Sequence, residues 1–121
     1  WLTAYKPSGT EIKVYYKVKN TNDNESFDDK NWVLMEQVTG STIYSAIRNY
    51  NQVLEYEFRP EYDAVNRTSN ITYTNNAGTA SYDSFNQFAV KIILTSNDPT
   101  NYPIVNDMRA IALPANINTT V

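Results

Sequence analysis

Phe88-Ala89-Val90-Lys91-Ile92-Ile93-Leu94-Thr95 is the stretch that decides the fold. Phe88, Val90, Ile92 and Leu94 recur at every second position and share one face of an extended strand, while Lys91 and Thr95 point the other way. That alternation predicts a half-buried strand. Ser96 to Pro103 follows with Asn, Asp, two prolines and no period, the chemistry of a surface loop. A second strand is expected from Ile104 to Leu113, with Arg109, Ile111 and Leu113 on one face and Met108, Ala110 and Ala112 on the other.

Upstream the same period returns. Glu11 to Lys19 places Ile12, Val14, Tyr16 and Val18 inward and Lys13, Tyr15, Lys17 and Lys19 outward, the lysine row reading as a solvated face, a protected sheet edge or a stripe that docks an acidic subunit. Val53 to Phe58 places Leu54, Tyr56 and Phe58 inward and Glu55 and Glu57 outward, and Pro60 ends it. Trp32 to Val38 is apolar on both faces, which predicts a central strand or one covered by a partner. Gly40 to Gln52 has no strong period and reads as a loop. Asn70 to Thr74, the turn Asn75-Asn76-Ala77-Gly78 and Thr79 to Ser84 form an expected hairpin. Residues 1–10 read as an entry arm with Trp1 buried, and residues 115–121 as a polar tail. Alternating strands without helical periodicity predict one all-β domain, an antiparallel sandwich of about eight strands.

A length of 121 residues supports one core. Ten tyrosines against three glycines favour pleated, half-buried strands. A net charge of −3 argues against duplex nucleic acid as a partner, because phosphate neutralisation needs a basic face. The chain has no cysteine, hence no disulfide framework. It has no histidine, the commonest general base and metal ligand. No glycine-rich phosphate loop is present, and no window approaches a membrane span, so no enzyme, cofactor or membrane partner is expected. The first residue is Trp1 rather than Met, which suggests a piece of a longer chain.

Asp23, Asp28 and Asp29 stand in an oxygen-rich loop, Asn20 to Asn31, of the kind that can wrap calcium, although the EF-hand spacing is not met, and the other reading is Asx-turn and surface residues. Asp107 and Arg109, two apart on the last strand, are expected to bond each other or a loop backbone, or else to present Arg109 as a clamp for a carboxylate or sugar. Tyr44, Tyr50, Tyr62, Tyr82 and Tyr102 are loop aromatics that could stack on sugar rings.

The segment FAVKIILTSNDPTNYPIVNDMRAIAL, residues 88–113, resembles the closing part of a domain in virion structural proteins of contractile-tailed bacteriophages, including phages of marine cyanobacteria. It carries the same aromatic-led strand, Ser/Asn/Thr loop, Pro-x-Val-x-Asp turn and Arg-Ala-Ile-Ala-Leu strand. The likeness extends to residues 9–18, 27–36, 53–58 and 71–87, and none of its residues is catalytic. More loosely, the two-strand ending and the opening strand Ile12 to Lys17 are similar to galactose-binding-like (discoidin) jelly rolls. The resemblance implies a structural domain of a phage tail or baseplate, located in the virion, packing against other virion subunits and possible as a homo-oligomer. The alternative reading is a carbohydrate-binding module for a host surface glycan.

Overall fold

The structure, a computed structural model, describes residues 1–39 and 43–112. Its elements are strands joined by turns and loops, with one 3-10 turn at Phe27–Asp29. β1 (Leu2–Tyr5) lies between β5 (Leu54–Arg59) and β11 (Ile104–Met108), and β4 (Glu36–Thr39) completes an antiparallel sheet in the order β11-β1-β5-β4. β2 (Thr10–Lys19) is the middle strand of a second antiparallel sheet, flanked by β10 (Gln87–Ser96) and β3 (Val33–Leu34). Two short pairs, β6 (Tyr62–Asp63) with β7 (Thr68–Ser69) and β8 (Tyr73–Thr74) with β9 (Ser81–Tyr82), occupy the excursion between β5 and β10. Among the described residues there are eleven strands, five of only two residues, where about eight are expected from the sequence.

One core receives side chains from both larger sheets. Leu2 and Ala4 of β1 and Tyr56 of β5 meet Ile12 and Val14 of β2, with Leu54, Phe58, Val90, Ile92 and Val105 packed against them. The all-β class and the alternation of β2 therefore stand as read, whereas on β10 Val90 and Ile92 pack on the core and Phe88 and Leu94, expected on the same covered face, are exposed. Val14 and Tyr16 face Ile92 and Val90 across the ladder, and Ile12, Val14, Tyr16 and Val18 are all buried.

Four expectations are corrected. Residues 1–10 are not an arm, because Leu2–Tyr5 is an interior strand paired on both sides, and Trp1 is 38% exposed rather than buried. The Trp32 to Val38 stretch is not one central strand. It breaks at Met35, whose N–H donates to Val14 O at 2.8 Å, and the chain passes from the edge of one sheet to the edge of the other. Its two-sided apolar pattern thus serves two sheets. The last strand runs only to Met108, and one further bonded pair follows it, Arg109 N–H donating to Trp1 O at 2.9 Å and the amino terminus to Arg109 O at 3.0 Å. Residues Arg109 to Ala112 are exposed, and Leu113 and the tail 115–121 lie outside the described residues. Finally, the lysines of β2 stand on a central strand and guard no edge.

The 43–52 loop lies against the β1–β2 turn. Ser45 N–H donates to Lys6 O at 2.7 Å, Lys6 N–H donates to Ser45 Oγ at 3.0 Å, and the Tyr56 hydroxyl donates to Ile43 O at 2.9 Å. Gly9 makes that turn in a left-handed conformation, φ +86°, and its carbonyl accepts Asn97 N–H at 3.1 Å. The 43–52 and 97–103 loops are therefore tied to the same end of the molecule.

Ala4 is fully covered between β5 and β11. Enlarging it should strain the site where the two sheets meet. Ala4→Leu is expected to lower stability by roughly 1–3 kcal/mol in urea unfolding, while Val65→Ala, at a position 91% exposed, should leave the midpoint within about 0.5 kcal/mol of the parent.

Candidate functional site

At the opposite end from Gly9, the Asn20 to Asn31 loop is clasped to the β8–β9 hairpin. Asp23 is buried, and its carboxylate accepts from Lys30 Nζ at 2.6 Å, from the Tyr73 hydroxyl at 2.8 Å and from Glu25 N–H at 3.0 Å. Lys30 Nζ also meets Glu25 at 2.5 Å, and Glu25 accepts from the N–H groups of Asn76 and Ala77 at 2.7 and 3.0 Å. Tyr73 hydroxyl accepts Asn20 N–H at 2.7 Å. Burial alone would raise the Asp23 pKa, but the hydrogen bonds from Lys30, Glu25 N–H and Tyr73, with the Lys30 charge, bring it down to about 2. Burial pushes the Tyr73 phenol up, with the neighbouring Asp23 carboxylate adding to it.

This arrangement answers the calcium expectation. Lys30 supplies the cation on Asp23, and Asp28 and Asp29 sit in the 3-10 turn that Ser26 caps through Asp28 N–H at 3.3 Å. The structure does not bring the three together, and among the described residues no three acidic side chains converge as a metal site. Beside the clasp runs a shallow groove of about 200 Å³, lined by Tyr16, Lys30, Val33, Glu61, Tyr73 and Asn76 among others. Binding pockets for small ligands run to about 300–1,000 Å³. The groove is smaller than that and shows no pair of groups poised over it.

The aromatic candidates divide between the two ends. Tyr44 carries Lys6 Nζ 4.8 Å above its ring, and Tyr50 lies 5.0 Å from the Tyr5 ring, both at the Gly9 end. Tyr102, half exposed, is on the 97–103 loop tied to Gly9. Tyr82 stacks on Tyr73 at 5.2 Å at the clasp, and Tyr62 lies under the Arg59 guanidinium at 5.3 Å. Arg109 does not pair with Asp107. Its guanidinium reaches Glu55 at 3.9 Å and lies 6.0 Å from the ring of Trp1, the residue with which its backbone pairs. Both charged groups are well exposed, so the pair contributes little. Glu57, expected outward with Glu55, is covered and bonded to Arg59 Nε at 2.7 Å.

The most distinctive surface is the outer face of the β10-β2-β3 sheet. Lys17 Nζ stands 4.6 Å from the Phe27 ring and 5.0 Å from Trp32, and Lys91 Nζ stands 4.9 Å from Tyr15 and 4.7 Å from Trp32. Two ammonium groups thus share one indole. Lys13 and Lys19 extend the row on β2, Ile93 lies across from Lys13, and Leu34, 53% exposed, lies across from Tyr15. Four of the six lysines occupy this face, and the other two, Lys6 and Lys30, are buried. Sequence reasoning found the β2 lysines but missed Trp32 and Lys91 as their partners. The signal was present in the outward position of Lys91, but the pairing of β10 with β2 that brings it to Tyr15 was not.

The clasp makes a prediction for acid stability. The lowered folded-state pKa of Asp23 gives stability that is present above its unfolded value near 4 and is lost as the pH falls toward about 2. Asp23→Asn, which leaves Lys30 without its buried carboxylate, should destabilise the chain by roughly 3 kcal/mol at neutral pH. It should also flatten the stability curve between about pH 4 and pH 2 in urea melts repeated across that range. No protein-family model, no curated protein and no solved structure matches the chain.

Proposed function

We propose that this chain is a non-catalytic interaction domain of a phage tail or baseplate protein, and that it docks an acidic neighbouring subunit on the outer face of the β10-β2-β3 sheet. The observation that carries this reading is the concentration of Lys13, Lys17, Lys19 and Lys91 around Trp32 and Tyr15 on one face of a chain whose net charge is −3. Aromatic rings and aliphatic side chains give such a face apolar area, and the ammonium groups give it complementarity to carboxylates. The cation–π contacts of Lys17 and Lys91 are worth about 0.5–1 kcal/mol each at exposed sites, and they bias those two ammonium groups toward the rings. The jelly-roll form belongs to the same proposal. Its support is that β1 to β2, β3 to β4 and β10 to β11 each pass from one sheet to the other.

The carbohydrate-binding alternative asks for two or three exposed rings at one end, and Tyr44, Tyr50 and Tyr102 all stand exposed at the Gly9 end while Tyr82 stands at the clasp. That grouping is what supports the glycan module as the second reading, and the lysine and aromatic face is what supports docking. Peptide mass spectrometry of purified particles of the phage that encodes the chain should recover it in the tail and baseplate fraction. Lys17→Glu with Lys91→Glu should lower its incorporation roughly tenfold, equivalent to about 1.4 kcal/mol, with the far-UV circular dichroism unchanged. Absence from the particles would overturn the reading. So would a folded monomer that retains a labelled bacterial surface glycan, which is the result the carbohydrate module requires.

A further inference from the structure

β10 lies at the edge of its sheet, with β2 along one side. Among the described residues nothing pairs with the other side. Asn97 N–H donates to Gly9 O at 3.1 Å, continuing the register beyond the Ser96 and Thr10 partners. Bonded pairs recur at every second residue of an antiparallel ladder. The odd-numbered residues of β10 therefore bond β2, and Phe88, Val90, Ile92, Leu94 and Ser96 turn their N–H and C=O groups to the open edge.

Edges of this length are usually guarded by proline, by a bulge that twists the edge away or by a charge held over the edge. β10 contains no proline, and its one charged residue is Lys91. That ammonium is drawn over Tyr15 and Trp32, toward β2 and β3 and away from the open side. Phe88 and Leu94, near the two ends of the strand, are 47% and 43% exposed although they alternate with the core-facing set.

We infer that the open edge of β10 pairs antiparallel with the same edge of a second copy of this chain, with Ile92 opposite Ile92 of the second copy. The five edge-facing positions are evenly spaced about Ile92, so this register pairs Phe88 with Ser96, Val90 with Leu94 and Ile92 with itself, and no free group of the set is left over. A slip by two residues strands unpaired groups at both ends. On the inner side Val90 meets Leu94, covering the exposed leucine. On the outer side Ala89 meets Thr95 and Lys91 meets Ile93, so no like charges stand directly opposite. Self-pairing satisfies all five edge residues and sets only Ile93 directly opposite Lys91, and that fit points to a second copy. The inference stands on β10 alone, whatever the domain's larger role.

The test is sedimentation velocity of the whole chain over a concentration series, where a species of twice the 13.8 kDa chain mass is expected to grow with concentration. Leu94→Pro removes an edge-facing N–H while sparing the β2 ladder, and should shift the chain to monomer with its circular dichroism retained. Phe88→Lys should do the same by placing a charge on the edge, and it keeps the test sharp if the proline variant misfolds. The chain has no cysteine, so Ala89→Cys with Thr95→Cys reports the register directly. Copper-phenanthroline oxidation should give a covalent dimer, since within one extended strand the two positions lie about 20 Å apart, beyond disulfide reach. A dimer that survives both edge substitutions and gives no crosslink pairs through another surface. A monomer at every concentration leaves the edge to a strand from another protein. Either result overturns the inference.

Discussion

The inner row of β2 is the constraint on which the rest depends. Ile12, Val14, Tyr16 and Val18 must all be covered, yet the four-stranded sheet reaches only the first two, which join its core cluster with Leu2, Ala4 and Tyr56. The other half of the row shares a groove with Glu61 and Tyr73 from the excursion between β5 and β10. Burial pushes the Tyr16 phenol up, and the Glu61 charge adds to it. A two-residue hairpin has too little apolar area to hold itself against a sheet. The Asp23, Lys30, Tyr73 and Glu25 clasp fixes it there. A buried ion pair adds little net stability compared with a well-packed apolar contact, but breaking it is costly. Its role here is to choose one position for the hairpin.

What was legible in the sequence is what repeats locally. The alternation of β2 runs long enough to identify inward residues one by one, β5 and β10 follow theirs only in part, and the Asn75 to Gly78 turn announces its hairpin by composition, closed by Gly78 N–H to Asn75 O at 2.9 Å and Asn75 N–H to Ala80 O at 2.9 Å. β1 was not legible. Leu2 to Tyr5 is too short for a period to show, and it is a strand because residues about fifty and a hundred positions away pair with it. The break at Met35 was hidden for a related reason, since a run apolar on both faces looks the same whether one strand is sandwiched or two edges follow each other.

The candidate site divides in the same way. The lysines of β2 declare an outward row, but Trp32 becomes the centre of that face only through β3 and Lys91 only through β10. The acidic loop invited a metal because composition counts carboxylates without counting the cation already supplied. Lys30 lies in the same loop, seven residues after Asp23, and the 3-10 turn between them brings its ammonium back to the carboxylate.

The outer face and the open edge share Lys91, and this links their consequences. Placing the ammonium over Tyr15 and Trp32 adds it to the basic face and at the same time leaves β10 without a guard. On the pairing inferred for β10, two outer faces would continue across a single sheet and the two lysine rows would lie on the same side of it. A partner presenting two acidic segments would then engage both rows, and the second contact would form at the high effective concentration set by the first. Weak, screened contacts on each face would thereby become a stable attachment without any change in the face itself.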